Sequence, residues 1–262
     1  MQLIHSSKDA HYQPTGYPGY NAHLAAYPES GMFIFSKVAA GGRAADRHTH
    51  NGDQLYFVAE GAMNVELGKD TRRAPSGSLV FIPAGLSHHN WNSGPGDEMH
   101  LEIIIPTPAP GEPVYTRVDN VVEAPDGRQG TVTSIDHSLM TSPLEGMRLQ
   151  KLHDAHGGIG SGRSVVNYVE MEPSASGPGM HVHEFDQLYF VLGGTLKVEI
   201  GLVAHSISEG MLAIVPAGVP HRQWNESSTM ERHLAVITQK PANNSPWDYG
   251  VNFTLNGIDH YG

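Results

Sequence analysis

The chain has 262 residues, a formal net charge of −11, 16% charged and 39% hydrophobic residues, and no cysteine. The last point excludes disulfides, thiolate nucleophiles, iron–sulfur clusters and cysteine-type zinc sites, while the acidic balance speaks against nucleic acid and anionic membrane surfaces as partners. No stretch approaches the ~18 apolar residues of a membrane span, and the start lacks the basic and apolar regions of a secretory signal, so a cytoplasmic protein is expected.

In chain order, the first 31 residues form an arm with Tyr12, Tyr17, Tyr20 and Tyr27 set among Pro and Gly. So aromatic an arm is expected to pack on its own body or to cover a bare sheet edge of a second copy, making a homo-oligomer. The runs 32–38, 54–58, 62–67, 78–82 and 100–105 are rich in β-branched and aromatic residues and are separated by Gly or Pro. They read as short strands of a sandwich or barrel. Gly68-Lys69-Asp70 reads as a hairpin turn. Pro106 to Pro113 reads as an extended connector, and a short helix is expected near 142–153, before the second half begins.

That second half repeats the first. Residues 48–100 laid on 181–233, at a constant offset of 133 and without a gap, give 22 identities in 53. His-Thr-His-Asn-Gly-Asp-Gln-Leu-Tyr-Phe-Val matches His-Val-His-Glu-Phe-Asp-Gln-Leu-Tyr-Phe-Val, and Pro83-Ala84-Gly85, His88 and Trp91-Asn92 fall on Pro216-Ala217-Gly218, His221 and Trp224-Asn225. The chain is a duplication of one small domain.

The chemistry sits in the histidines, of which there are 17 against 16 Lys and Arg. Alternating side chains put His48 and His50, and likewise His181 and His183, on one face. Gln54 and Gln187 follow at four residues, and His88 and His221 each follow a Pro-x-Gly-x-x turn. Converging imidazoles with one oxygen donor suit a divalent transition metal such as Fe, Mn, Co, Ni or Zn, at up to two metals per chain. By parity Tyr56 and Tyr189 share the face that looks at the metal, where each could bond a bound oxygen or move a proton. His100 and His233 open the strand after the third histidine, as bases near neutral pKa or as rim residues. Asp53 and Asp186 are candidates to orient an imidazole or to build a turn.

These motifs resemble those of the cupins. Gly42-x5-His48-x-His50-x3-Gln54-x6-Gly61 resembles the first cupin motif, with Gln in place of the usual Glu, and Gly77-x5-Pro83-x-Gly85-x2-His88-x3-Asn92 resembles the second. The second copy fits as well, except that Ala175 replaces the opening glycine. The resemblance implies an all-β bicupin, two jelly-roll barrels each with a metal at its centre. The expected organisation is an arm at 1–31, cupin domains at 32–112 and 161–240, a connector at 113–160 and a C-terminal extension at 241–262. Glutamine in place of glutamate leaves a divalent site at net +2, which favours a small anionic chelating substrate. The three-histidine, one-glutamine set is similar to that of the bicupin isomerase of bacilysin biosynthesis and to bicupin dioxygenases. The expected activity is an oxygenase, with Fe(II) the expected metal, acting on a small dicarbonyl, enediol or phenolic substrate with O2. An O2-independent isomerase or lyase stabilising an enolate stands beside it, and a non-catalytic ligand-binding cupin is the third reading.

Overall fold

The computed structural model describes residues 2–154, 164–239, 246–255 and 258–260. Parts of the connector and of the C-terminal extension lie outside them. Contacts divide the chain into two compact units, one built on Ala10–Ile135, the other on Met1–Asp9, Asp136–Asp154 and Ser164–Gly262.

In the first unit a seven-stranded sheet runs Thr131–Ser134, Ser78–Ile82, Asp53–Glu60, Glu98–Ile105, Met32–Val38, Tyr20–Ala26 and Gln13–Pro14. A five-stranded sheet runs Thr116–Arg117, His48–Thr49, His88–Trp91, Ala62–Leu67 and Asp70–Pro75. The second unit repeats both sheets strand for strand, opening with Ile4–Ser6 beside Met211–Val215 and closing with Tyr249–Gly250 beside His181–Val182. All the pairings are antiparallel, which puts alternate residues inside each barrel. Tyr56, Val58, Met63, Val65, Val80 and Ile82 form the first core, and Tyr189, Val191, Leu196, Val198, Ala213 and Val215 form the second. Each Val, Leu, Ile or Met among them contributes about 1.5–3 kcal/mol by burial. Among the described residues there is no α-helix.

The strands expected at 32–38, 62–67 and 78–82 are present with those bounds, and Leu67 faces Asp70 across the expected hairpin. The helix expected near 142–153 is absent. That segment is a hairpin of Thr141–Leu144 and Met147–Asp154, with Gly146 at φ +69 in its turn. Pro143 and Gly146 oppose a helix, and pairing with Ser164–Met171 lets Met147 and Leu149 pack on the second core.

The arm divides. Ile4–Ser6 pairs with Met211–Val215 in the second unit, while Tyr20–Ala26 pairs with Met32–Val38 in the first, where the Lys37 ammonium lies 4.3 Å from the centre of the Tyr12 ring. The arm packs on its own chain, so the homo-oligomer expected from it loses the observation it rested on.

Candidate metal centres

In the first barrel the strand register sets His88 directly opposite His48, and His50 follows one residue beyond the strand end. The ligand nitrogens of His48, His50 and His88 lie within 4.8 Å of one another, as do those of His181, His183 and His221. The second trio uses the same register, His181 opposite His221.

Backbone carbonyls fix the tautomers. Nδ1 of His48, His50 and His88 lies 2.7, 2.7 and 3.0 Å from the carbonyls of Asp46, Val114 and Leu86. In the second barrel Nδ1 of His181, His183 and His221 meets the carbonyls of Gly179, Phe185 and Val219 at 2.8, 2.6 and 3.0 Å. A carbonyl can only accept, so each Nδ1 carries the hydrogen and each Nε2 presents a lone pair. Burial holds His48, His88 and His183 below the ordinary imidazole pKa and takes His50 and His221 down to about 3. These are neutral ligands at physiological pH.

Two observations fit a cation. In the first barrel Nε2 of His50, Nε2 of His88 and Oε1 of Gln54 are buried with no hydrogen-bond partner. Buried polar atoms are rarely left so. In the second barrel Oε1 of Gln187 lies 2.7 Å from Nε2 of His183 and 3.3 Å from Nε2 of His221. Three lone pairs that face one another repel unless a shared cation reconciles them.

The turn before the third histidine is held by an acid. Gly85, at φ +81, donates to the His50 carbonyl at 2.9 Å, and Gly218 does the same to His183 at 2.8 Å. Asp53 accepts from the Ala84 amide at 2.8 Å and takes two bonds from Arg128, while Asp186 accepts from the Ala217 amide at 2.8 Å. Both aspartates therefore build the turn instead of orienting an imidazole. Over the first site, Val114–Arg117 forms a strap. It supplies the carbonyl to His50 and sets the Tyr115 ring edge-on to His48 at 5.1 Å.

The remaining sequence candidates are interior residues. Tyr56 is 3% exposed, with its ring 5.0 Å from His100 and 6.5 Å from His88. Burial, reinforced by Glu102, drives its pKa well above the phenol range. Tyr189 is raised by burial too, and its hydroxyl donates to Gln223 at 2.9 Å. Both are therefore neutral donors. His100 and His233 are not at the rim; each is fully buried with Nδ1 2.8 Å from a carboxylate two residues earlier, Glu98 or Glu231. Burial opposes charge on His100, yet the attraction of Glu98 lifts its pKa above the usual value.

Sequence reasoning missed Glu102, whose Oε1 accepts from Gln54 Nε2 at 2.6 Å. Its signal is a single acid at the same parity as His100 in the otherwise apolar run Leu101 to Ile105.

The cupin-domain family (Cupin_2) matches residues 34–105 and 167–237. This chain belongs to the cupins. With two such domains it is a bicupin, as its motifs implied. A relative, the uncharacterized protein SCO3923 of Streptomyces coelicolor, is 30% identical over 67 residues, or 26% of this bicupin. The match spans 64% of that relative, just under two thirds of its length. Among solved structures, Bacillus subtilis oxalate decarboxylase, studied for its Mn(II) centres, gives a TM-score of 0.66 at 14% identity, covering 92% of this chain and 78% of its own. AerE from Microcystis aeruginosa gives 0.64 at 15% identity, covering 88% and 98%. Vicilin from hazelnut, Corylus avellana, gives 0.64 at 11% identity, covering 90% and 85%. At these identities the likeness establishes the fold.

Proposed function

We propose that this bicupin is a metal-dependent enzyme that acts on a small anionic substrate chelating through two oxygens, an oxygenase of dicarbonyl, enediol or phenolic compounds, with the first barrel as its reaction centre. The observation that carries this reading is the ligand set. Three imidazoles, kept neutral by burial and oriented by backbone carbonyls, converge with no carboxylate among them, and Gln54, whose Oε1 is buried without a hydrogen-bond partner, is assigned as the oxygen donor. His48, His50, Gln54 and His88 would hold one metal, and His181, His183, Gln187 and His221 the other. Such a metal supplies Lewis-acid stabilisation to a developing enolate or catecholate and, if it is Fe(II), an electron source for O2.

The residues do the rest. A neutral ligand set leaves the positive charge for the substrate anion, and the strap with Tyr115 shields the site from water. Tyr56, a phenol that keeps its proton, is assigned to donate a hydrogen bond to a substrate oxygen. His100, poised against Glu98, is assigned to hold a proton beneath it. Tyr189 and His233 occupy the matching places in the second barrel.

A second reading, an O2-independent isomerase or lyase, is favoured by the same electroneutral ligands and by the shared fold with oxalate decarboxylase. Fe(II)- and Mn(II)-loaded protein, tested on small diketones, keto acids and catechols in an oxygen electrode and again without oxygen, separates the two. Oxygen uptake in step with substrate loss supports the oxygenase. Anaerobic turnover supports the isomerase or lyase, and binding without turnover in either condition overturns both.

A further inference from the structure

Behind Gln54 lies a carboxylate that the second barrel does not have. Glu102 is 7% exposed. Its Oε1 accepts from Gln54 Nε2 at 2.6 Å, and its Oε2 accepts from the Tyr20 hydroxyl at 3.2 Å and the Ser36 hydroxyl at 3.5 Å. The offset of 133 puts Ala235 in the place of Glu102 and Val169 in the place of Ser36. Register puts Met147 in the place of Tyr20, because Tyr20 faces Val38 and Met147 faces Met171, its counterpart. Three polar positions in one barrel are thus three apolar positions in the other. The histidines, the glutamines and the buried His–Glu pairs around them are the same.

This difference acts on the glutamine. An amide can turn either end to a metal, and only its oxygen is a ligand. The bond from Nε2 to Glu102 settles the question for Gln54, whose Oε1 is left buried with no hydrogen-bond partner, free for a cation. A carboxylate that accepts the N–H also pushes electron density onto the carbonyl oxygen, as a carboxylate behind a ligating histidine raises its basicity.

We propose that Glu102 is a positioning residue of the first metal site, holding Gln54 as an oxygen donor and strengthening that donor. The inference rests on the metal reading of the preceding section. It returns to the first site, one hydrogen bond removed, the negative charge that a glutamate ligand would have placed on the metal. The second site keeps the glutamine without this support.

The test is Mn(II) affinity, measured by electron paramagnetic resonance in chains that retain a single site. His181→Ala with His183→Ala isolates the first site, and His48→Ala with His50→Ala isolates the second. Glu102→Leu removes the acceptor and is expected to weaken the first site about 10- to 100-fold, leaving the second within twofold. Glu102→Gln keeps an acceptor oxygen for Gln54 and is expected to weaken the first site less than Glu102→Leu does. It should also alter the spectrum of bound Mn(II). If Glu102→Leu does not fold, Glu102→Gln carries the test alone. A first-site affinity and spectrum unchanged by substitution overturn the proposal, as does an equal loss at both sites. None of these readouts involves a substrate, so a chain that binds Mn(II) as expected yet turns nothing over defeats the functional reading alone.

Discussion

At the residue scale the glutamines have different neighbours, and the same substitution should have different results in the two barrels. Gln187→Glu places a carboxylate on the second metal with no acid behind it, and should tighten metal binding by about tenfold, ~1.4 kcal/mol. Gln54→Glu removes the N–H that Glu102 accepts and sets a second carboxylate oxygen against one that is now 2.6 Å from an amide nitrogen. Like charges at that distance cannot both ionise, so one takes a proton. Gln54→Glu should therefore fail to tighten the metal, and adding Glu102→Gln should restore the gain. Metal titration of the three variants checks this. Acid should act on the histidines. In the metal-free chain His50 and His221 stay neutral down to about pH 3, whereas unfolded imidazoles take protons below about 6.5. Unfolding then binds protons, so stability is fully present above pH 6.5 and falls as pH drops toward 3, by about 1.4 kcal/mol per unit for each histidine. Urea midpoints of metal-free protein at pH 7, 5.5 and 4.5 should fall in that order.

The histidines and glutamines were legible because a metal site demands fixed residue types at fixed spacing, and the repeat printed that spacing twice. Glu102 was not legible, because its meaning lies in partners that are 48, 66 and 82 residues away. Parity put His100 and Tyr56 inside the barrel, but nothing local distinguishes an interior histidine paired with Glu98 from one at the rim.

At the element scale the core strands were legible from alternation and from Gly and Pro, and the peripheral strands were not. Thr141–Leu144 and Met147–Asp154 carry too few apolar positions to show a period of two, and only pairing with Ser164–Met171 makes them strands. Ile4–Ser6 is a still shorter case. Three residues owe their extended form to Met211–Val215, more than 200 residues later, and Ser7 adds a bond from its amide to the Gly210 carbonyl at 2.9 Å. The matching edge in the first barrel, Ser78–Ile82, is covered by Thr131–Ser134, which lies just ahead of the second copy. The short strand that precedes each copy in sequence thus completes a sheet of the other copy. Deleting residues 2–9 uncovers the backbone of Met211–Val215, an apolar strand whose bare edge invites pairing between molecules. The truncated chain should lose thermal stability and aggregate on warming, with metal binding at His48, His50 and His88 kept. Calorimetry with light scattering, together with Mn(II) titration, reads both outcomes.

At the scale of the whole molecule the duplication preserved the metal ligands and let their surroundings diverge. Both barrels keep three imidazoles, a glutamine, an interior tyrosine and a buried His–Glu pair. The first alone backs its glutamine with Glu102, itself bonded by Tyr20 and Ser36, where the second has Ala235, Met147 and Val169. Apolar replacement is the change expected of a barrel whose centre is structural, because a buried carboxylate is costly to keep unless something uses it. Two intact ligand sets predict close to two metals per chain at full loading, and one after His181→Ala with His183→Ala or after His48→Ala with His50→Ala. The two pairs should then part in their kinetics. Loss of the first site should remove turnover by at least a thousandfold, ~4 kcal/mol of transition-state stabilisation. Loss of the second should cost thermal stability and leave kcat within about tenfold, because it removes a structural cation and touches no group beside the substrate. Elemental analysis with steady-state kinetics on the four-histidine set decides the matter. Equal loss of turnover from either pair would make the barrels catalytic equals and leave the divergence around Glu102 without a catalytic meaning.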